Sequence, residues 1–204
     1  MRFDKGMPLF AAIAVLLGFL TANAHSAGDF MPTGSRTSQP IGHYELCLRD
    51  PAECRNEEAA RAPIDLTREL WAVLVEVNNT VNTSVMPTTD AERWGIEEYW
   101  SYPDIYGDCE DYVLEKRRLL IKAGVPAGNL LITVVRQPNG NGHAVLTVNT
   151  SMGDFVLDNM ESLILPWSET QYQYLKRQST RDPARWVSIS DGRATAVGSV
   201  SSSR

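Results

Sequence analysis

Three apolar, β-rich runs between Leu130 and Asp158, separated by turn residues, limit the fold of this chain more than any other stretch. Leu130 to Val135 is the first. Gln137-Pro-Asn-Gly-Asn-Gly142 is a strong turn signal, His143 to Asn149 is the second run, and Phe155 to Asp158 is the third, across a turn around Met152-Gly153. Short connections of this kind join antiparallel neighbours. A helix is predicted just before them. Gly107 breaks what precedes it, Asp108 suits the N-cap, Val113, Leu114, Leu120 and Ile121 supply an apolar stripe, and Gly124 and Pro126 end it. An earlier core helix follows from the spacing of Leu66, Leu70, Val73, Leu74, Val77 and Val81, with Asp65 or Thr67 as its cap. Trp186 to Ile189 reads as one more short strand. A chain of 204 residues suffices for one domain with its own core.

The beginning of the chain reads as an export signal. Arg2 and Lys5 precede an apolar run from Leu9 to Leu20, and Ala22-Asn23-Ala24 is a small-x-small cleavage site, with Ala24-His25-Ser26 as a second option. The run is too short for a stable membrane span, which needs about 20 residues. The predicted organisation is a signal peptide over 1–24, a flexible Gly/Ser/Thr/Pro-rich lead-in over 25–43, one domain over 44–191 and a disordered Ser-rich tail over 192–204. Periplasmic or secreted localisation follows. The net charge of −6 argues against a nucleic-acid partner.

Export bears on the three cysteines. Cys47 and Cys54 lie close together and, in an oxidising compartment, most simply form a disulfide; two free buried thiols are the alternative. Cys109 is then left over. It falls at the first position of the helix opened by Gly107 and Asp108, where unpaired N–H groups and the helix dipole favour a thiolate. It needs a base. His25 lies at the cleavage region and His43 in the lead-in, whereas His143 begins a core strand. Side chains alternate along a strand, so His143, Val145 and Thr147 share one face. If 143–149 and 155–158 pair as a hairpin, registers of one parity put Asp158 on that same face, opposite or diagonal to His143. A carboxylate there would hold the imidazole tautomer.

Residues 84–107 carry Trp94, Tyr99, Trp100, Tyr102 and Tyr106 with Pro87 and Pro103, and read as an irregular wall leading to the nucleophile. The backbone N–H of Cys109 is the expected oxyanion donor, with the indole N–H of Trp100 as a second and Trp94 close behind. Asp108, Glu110 and Asp111, with Asp104 upstream, are hard oxygen donors of the kind Ca²⁺ takes; helix-dipole capping explains the same acids without a metal.

Gly107-Asp-Cys-Glu-Asp-Tyr112, Gly142-His-Ala-Val-Leu146 and Phe155-Val-Leu-Asp-Asn159 resemble the motifs of the bacterial transglutaminase-like cysteine proteinases, including their LapG-type periplasmic members, over about Gly42 to Ile189. The resemblance implies an α+β fold with a papain/transglutaminase-like core, its nucleophile on a helix N-terminus packed against an antiparallel sheet, and a Cys-His-Asp triad at Cys109, His143 and Asp158. It also implies calcium near the nucleophile, through Asp108 and Glu110, and a protein substrate such as a surface adhesin; no organic cofactor is expected. The same triad would equally serve a transglutaminase or amidase, and a calcium-regulated binding module with a silent triad is the non-enzymatic alternative.

Overall fold

The computed structural model describes, besides Met1, residues 29–55 and 62–192. All but the first residue of the expected signal segment, and all but the first residue of the expected tail, lie outside them. Among the described residues no helix is long and apolar enough to cross a membrane.

The two predicted helices and the strand meander form. α2 (Arg68–Ser84) begins where the Thr67 hydroxyl accepts the Leu70 N–H at 3.1 Å. α4 (Cys109–Lys122) ends before Gly124, whose φ of 92° is the left-handed conformation that favours glycine. β4 (Leu130–Arg136), β5 (Gly142–Thr150) and β6 (Gly153–Leu157) are consecutive antiparallel neighbours. Among the described residues the sheet has seven strands. It adds β1 (Thr33–Thr37), β7 (Leu165–Pro166), β8 (Gln173–Ser179) and β9 (Asp182–Ile189), in the order β1-β9-β8-β4-β5-β6-β7.

Alternation along the strands builds two cores. Leu130, Ile132, Leu146, Val148 and Leu157 turn toward the helices, meeting Leu74 of α2 and Val113, Leu114 and Leu120 of α4. Val135, Val145 and Val156 turn the other way, onto Met31, Trp167 and Tyr174. Burying a large apolar side chain contributes roughly 1.5–3 kcal/mol, so both layers hold the sheet.

Three expectations are corrected. Residues 33–43 are not a flexible lead-in: β1 pairs with β9, and α1 (Ile41–Arg49) buries Gly42, His43 and Leu46. Glycine, serine and threonine gave no apolar signal because β1 is an edge strand, largely exposed. Residues 84–107 are not wholly irregular. They contain α3 (Asp90–Trp94), closed by a capping box between Thr89 and Glu92, and the short parallel pair β2 (Met86–Pro87) and β3 (Tyr106–Gly107). The C-terminal strand is longer than Trp186 to Ile189 and pairs with β8, whose polar sequence hid it.

Cys47 and Cys54 are joined, with Cα atoms 5.6 Å apart, and Cys109 is a free thiol. The disulfide closes α1 onto a 3-10 turn at Pro51–Cys54. That loop is tied to the wall of the cleft described next: Arg49 donates to the Trp100 carbonyl at 2.6 Å and sits 4.1 Å above the Tyr99 ring. Glu53 accepts from the Tyr102 hydroxyl and, at 3.3 Å, from Arg117 of α4.

Candidate active site

Cys109 is the first residue of α4, in the turn whose N–H groups have no intrahelical acceptor. Gly107 permits the approach: a Cβ there would lie 2.8 Å from the Cβ of Asp111. The Asp108 side chain occupies the cap position without accepting a helix N–H. Cys109 and His143 line one cleft of about 410 Å³, with Pro40, Glu98, Trp100 and Lys176 among its walls. The backbone N–H of Ala144, next to His143, faces the Cys109 sulfur.

Strand register sets His143 against Asp158. Leu146 pairs with Leu157 and Thr147 with Val156, so Asp158 lies one pair further, diagonal to His143 on the same face. Their side chains are 2% and 3% exposed, and His143 Nε2 lies 2.8 Å from Asp158 Oδ1. The hydrogen bond to Nε2 leaves Nδ1 as the other ring nitrogen for proton exchange. Burial works to raise the Asp158 pKa. The His143 hydrogen bond and charge, the Met160 N–H at 3.0 Å and the Tyr172 hydroxyl outweigh it and hold the carboxyl below its ordinary value. Tyr172 also packs its ring on His143, centroids 5.5 Å apart.

The acids beside the nucleophile divide. Asp108 and Glu110 gather with Asp90 of α3, one carboxylate oxygen of each within 4.8 Å of the others. Asp108 Oδ1 is buried with no hydrogen-bond partner among the described residues, an arrangement that fits a hard cation. Burial and then mutual repulsion push Asp108 up to about 6 and Glu110 up to about 8. Burial, followed by the Glu110 charge and a 3.1 Å hydrogen bond to it, raises the Cys109 thiol well above its ordinary value. Asp111 stands apart from the trio. It accepts from the Ser101 N–H at 2.8 Å and faces Arg93 at 3.9 Å, so it fastens the loop. A second donor group, His43 with Cys47 and Cys54, has both sulfurs committed to the disulfide.

The two tryptophans also separate. Trp100 lines the cleft, but its indole N–H donates to Glu98 at 3.1 Å, so that donor is already engaged. Trp94 is half-exposed, stacked with Tyr99 and under Arg93. His43 is a buried core residue held by Trp186 and Gln178. Sequence reasoning missed Asp90, Glu98, Tyr172 and Lys116. The last is a buried lysine on α4 that interacts with Asp158 and whose pKa burial lowers to about 7. Asp90, Tyr172 and Lys116 have no local signature, since each acts through a contact made across the fold; Glu98 stands two residues from Trp100, and no motif marks that pair.

Among curated proteins nothing matches the chain. Among solved structures, Legionella pneumophila LapG is 26% identical with a TM-score of 0.50, covering 62% of this chain and 72% of that one. An EGTA-treated form gives 26% and 0.50, covering 61% and 73%. A calcium-bound form gives 28% and 0.48, covering 53% of this chain, which spans 64% of that one. A family profile described as bacterial transglutaminase-like cysteine proteinase matches residues 33–194, most of the sequence, and the chain therefore belongs to that family of cysteine peptidases.

Proposed function

We propose that this is an exported, calcium-dependent peptidase that cleaves a protein substrate through Cys109, His143 and Asp158. The observation that carries the reading is the buried 2.8 Å pair of His143 and Asp158 opening on the same cleft as a free cysteine at a helix N-terminus. In the reaction His143 takes the thiol proton at Nδ1 and the Cys109 sulfur attacks the scissile carbonyl. The oxyanion forms next to the unpaired N–H of Cys109. Collapse breaks the C–N bond, His143 returns its proton to the leaving amine, and a thioester remains. Water, deprotonated by His143, then releases the acid and the thiol. Asp158 fixes the ring and balances the imidazolium.

Asp90, Asp108 and Glu110 are the residues that would hold the calcium. Bound there, calcium would neutralise the carboxylates that otherwise oppose a thiolate at Cys109. The motif resemblance to LapG-type periplasmic proteases supports an adhesin-like surface protein as substrate, and the segment over 1–24 supports export to the periplasm or beyond.

The test compares exported proteins in cells carrying wild-type or Cys109→Ala enzyme, by mass spectrometry of new protein termini. Termini that appear only with the wild type are expected. Identical profiles from both would overturn peptidase activity, and incorporation of a primary amine at glutamine without new termini would assign acyl transfer instead.

A further inference from the structure

His143 has a second neighbour besides the nucleophile cleft. On the far side of the His143–Asp158 pair lies a separate cavity of about 320 Å³, bounded by Asp158 and Tyr172. That volume is near the lower end of the roughly 300–1,000 Å³ usual for ligand sites. The β4–β5 turn spans both spaces, since Gly142 lines the cleft and Gln137 and Pro138 line the cavity. The two spaces thus lie at either side of the His143–Asp158 pair, one bordered by His143 and the other by Asp158.

Its walls are of two kinds. Met160, Leu163 and Leu165 offer apolar surface, and Glu161 and Glu169 offer carboxylates. Leu163 is 64% exposed and Met160 60% exposed. Glu161 is fixed by accepting the Leu163 N–H at 3.2 Å, and among the described residues neither glutamate pairs with a cation. Aliphatic walls with acids at the edge suit a side chain that has an apolar stem and a cationic head.

We infer that this cavity is a substrate subsite for a lysine or arginine side chain on the leaving-group side of the scissile bond. The side assignment rests on the triad reading above: the residue that protonates the leaving amine lies beside the departing half of the substrate, and the cavity lies beyond that residue. Asp158 borders the cavity and holds His143, which borders the cleft, so the two spaces flank one hydrogen-bonded pair.

Two measurements on the full chain separate this inference from the triad reading. In the first, N-acetyl-arginine amide and N-acetyl-norleucine amide are titrated into Cys109→Ala protein and followed by NMR. Saturable shifts confined to residues 158–172 are expected with the arginine probe. Glu161→Gln/Glu169→Gln should weaken that binding about five- to tenfold, the size of two half-exposed charge contacts. No shifts, or equal binding of the norleucine probe, would overturn the subsite, and such binding needs no catalysis. In the second, a peptide library is digested with active enzyme. Enrichment of Lys or Arg at one position after the cleaved bond is expected, and it should fall about five- to tenfold in the double glutamine variant while peptides lacking a base there are cut as before. Turnover without that enrichment overturns the subsite and leaves the triad standing. Arginine binding without any turnover keeps the subsite and overturns the peptidase.

Discussion

At the scale of residues, the same chemical groups take opposite roles according to burial and partner. His143 and His43 are both buried, yet only His143 has a carboxylate on its ring. His43 Nδ1 faces the indole N–H of Trp186 at 3.3 Å, and an indole only donates, so this nitrogen must keep its lone pair. Burial, followed by the Arg117 charge, lowers the His43 pKa to about 4. The unfolded chain thus binds a proton between about 6.5 and 4 that the folded chain refuses, so stability from this residue is present above 6.5 and is lost as pH falls toward 4. The loss should reach roughly 3 kcal/mol at about 1.4 kcal/mol per pH unit. Urea unfolding of wild type and His43→Phe across this range checks it, and an equally steep acid slope in the variant would refute the assignment. For Asp158→Asn, loss of tautomer control should lower kcat/KM by roughly 10³–10⁴-fold without unfolding the protein. Wild-type turnover in that variant would remove Asp158 from the mechanism.

Elements act here as mounts for the cleft wall. α1 lies so close to Trp100 that a Cβ on Gly42 would fall 2.3 Å from its ring, and a buried indole cannot move aside as a flexible side chain would. Gly42→Ala should therefore displace Trp100 and its Glu98 partner and lower kcat/KM about tenfold or more, since small misplacements near an active site are costly. Unchanged kinetics in a folded variant would show that the wall tolerates the shift. The disulfide is the second mount, because it holds the turn bearing Glu53, which grips Tyr102 and Arg117. Cross-linking so short a loop contributes about 2–3 kcal/mol through the unfolded state. Cys47→Ala/Cys54→Ala protein should lose roughly that much in denaturant unfolding, together with part of its activity. Full activity after the double substitution would confine the bond to a stabilising role.

The whole molecule joins distant segments at the acidic trio. Asp90 comes from α3, while Asp108 and Glu110 come from the start of α4, so an ion held between them would cross-link the cleft wall to the nucleophile helix. Calcium should raise the melting temperature by mass action, worth about 2.7 kcal/mol at a hundredfold excess over its dissociation constant. Differential scanning calorimetry with calcium and with EGTA measures this. Asp90→Asn and Glu110→Gln should abolish the shift, while Asp111→Asn should keep it. A shift that survives Asp90→Asn would place the ion elsewhere.

The sequence by itself determined what depends on short-range order. The turn at Gln137 to Gly142, the alternation from His143 onward and the Gly-Asp-Cys opening of α4 are local, and they suffice to predict the helix and the meander, whereas the register that puts His143 and Asp158 on one face came from the structure. The spacing of Cys47 and Cys54 likewise pointed to the bond that forms. Tertiary structure decided everything that requires two remote segments to meet. It took Asp90 rather than Asp111 beside Asp108 and Glu110, because Ser101 claims Asp111 first. It brought Tyr172 to Asp158 and folded the polar strands β1 and β8 into the sheet. A hydrogen-bonded edge or a buried carboxylate is defined by its partner, and the partner's position is set by how the chain packs.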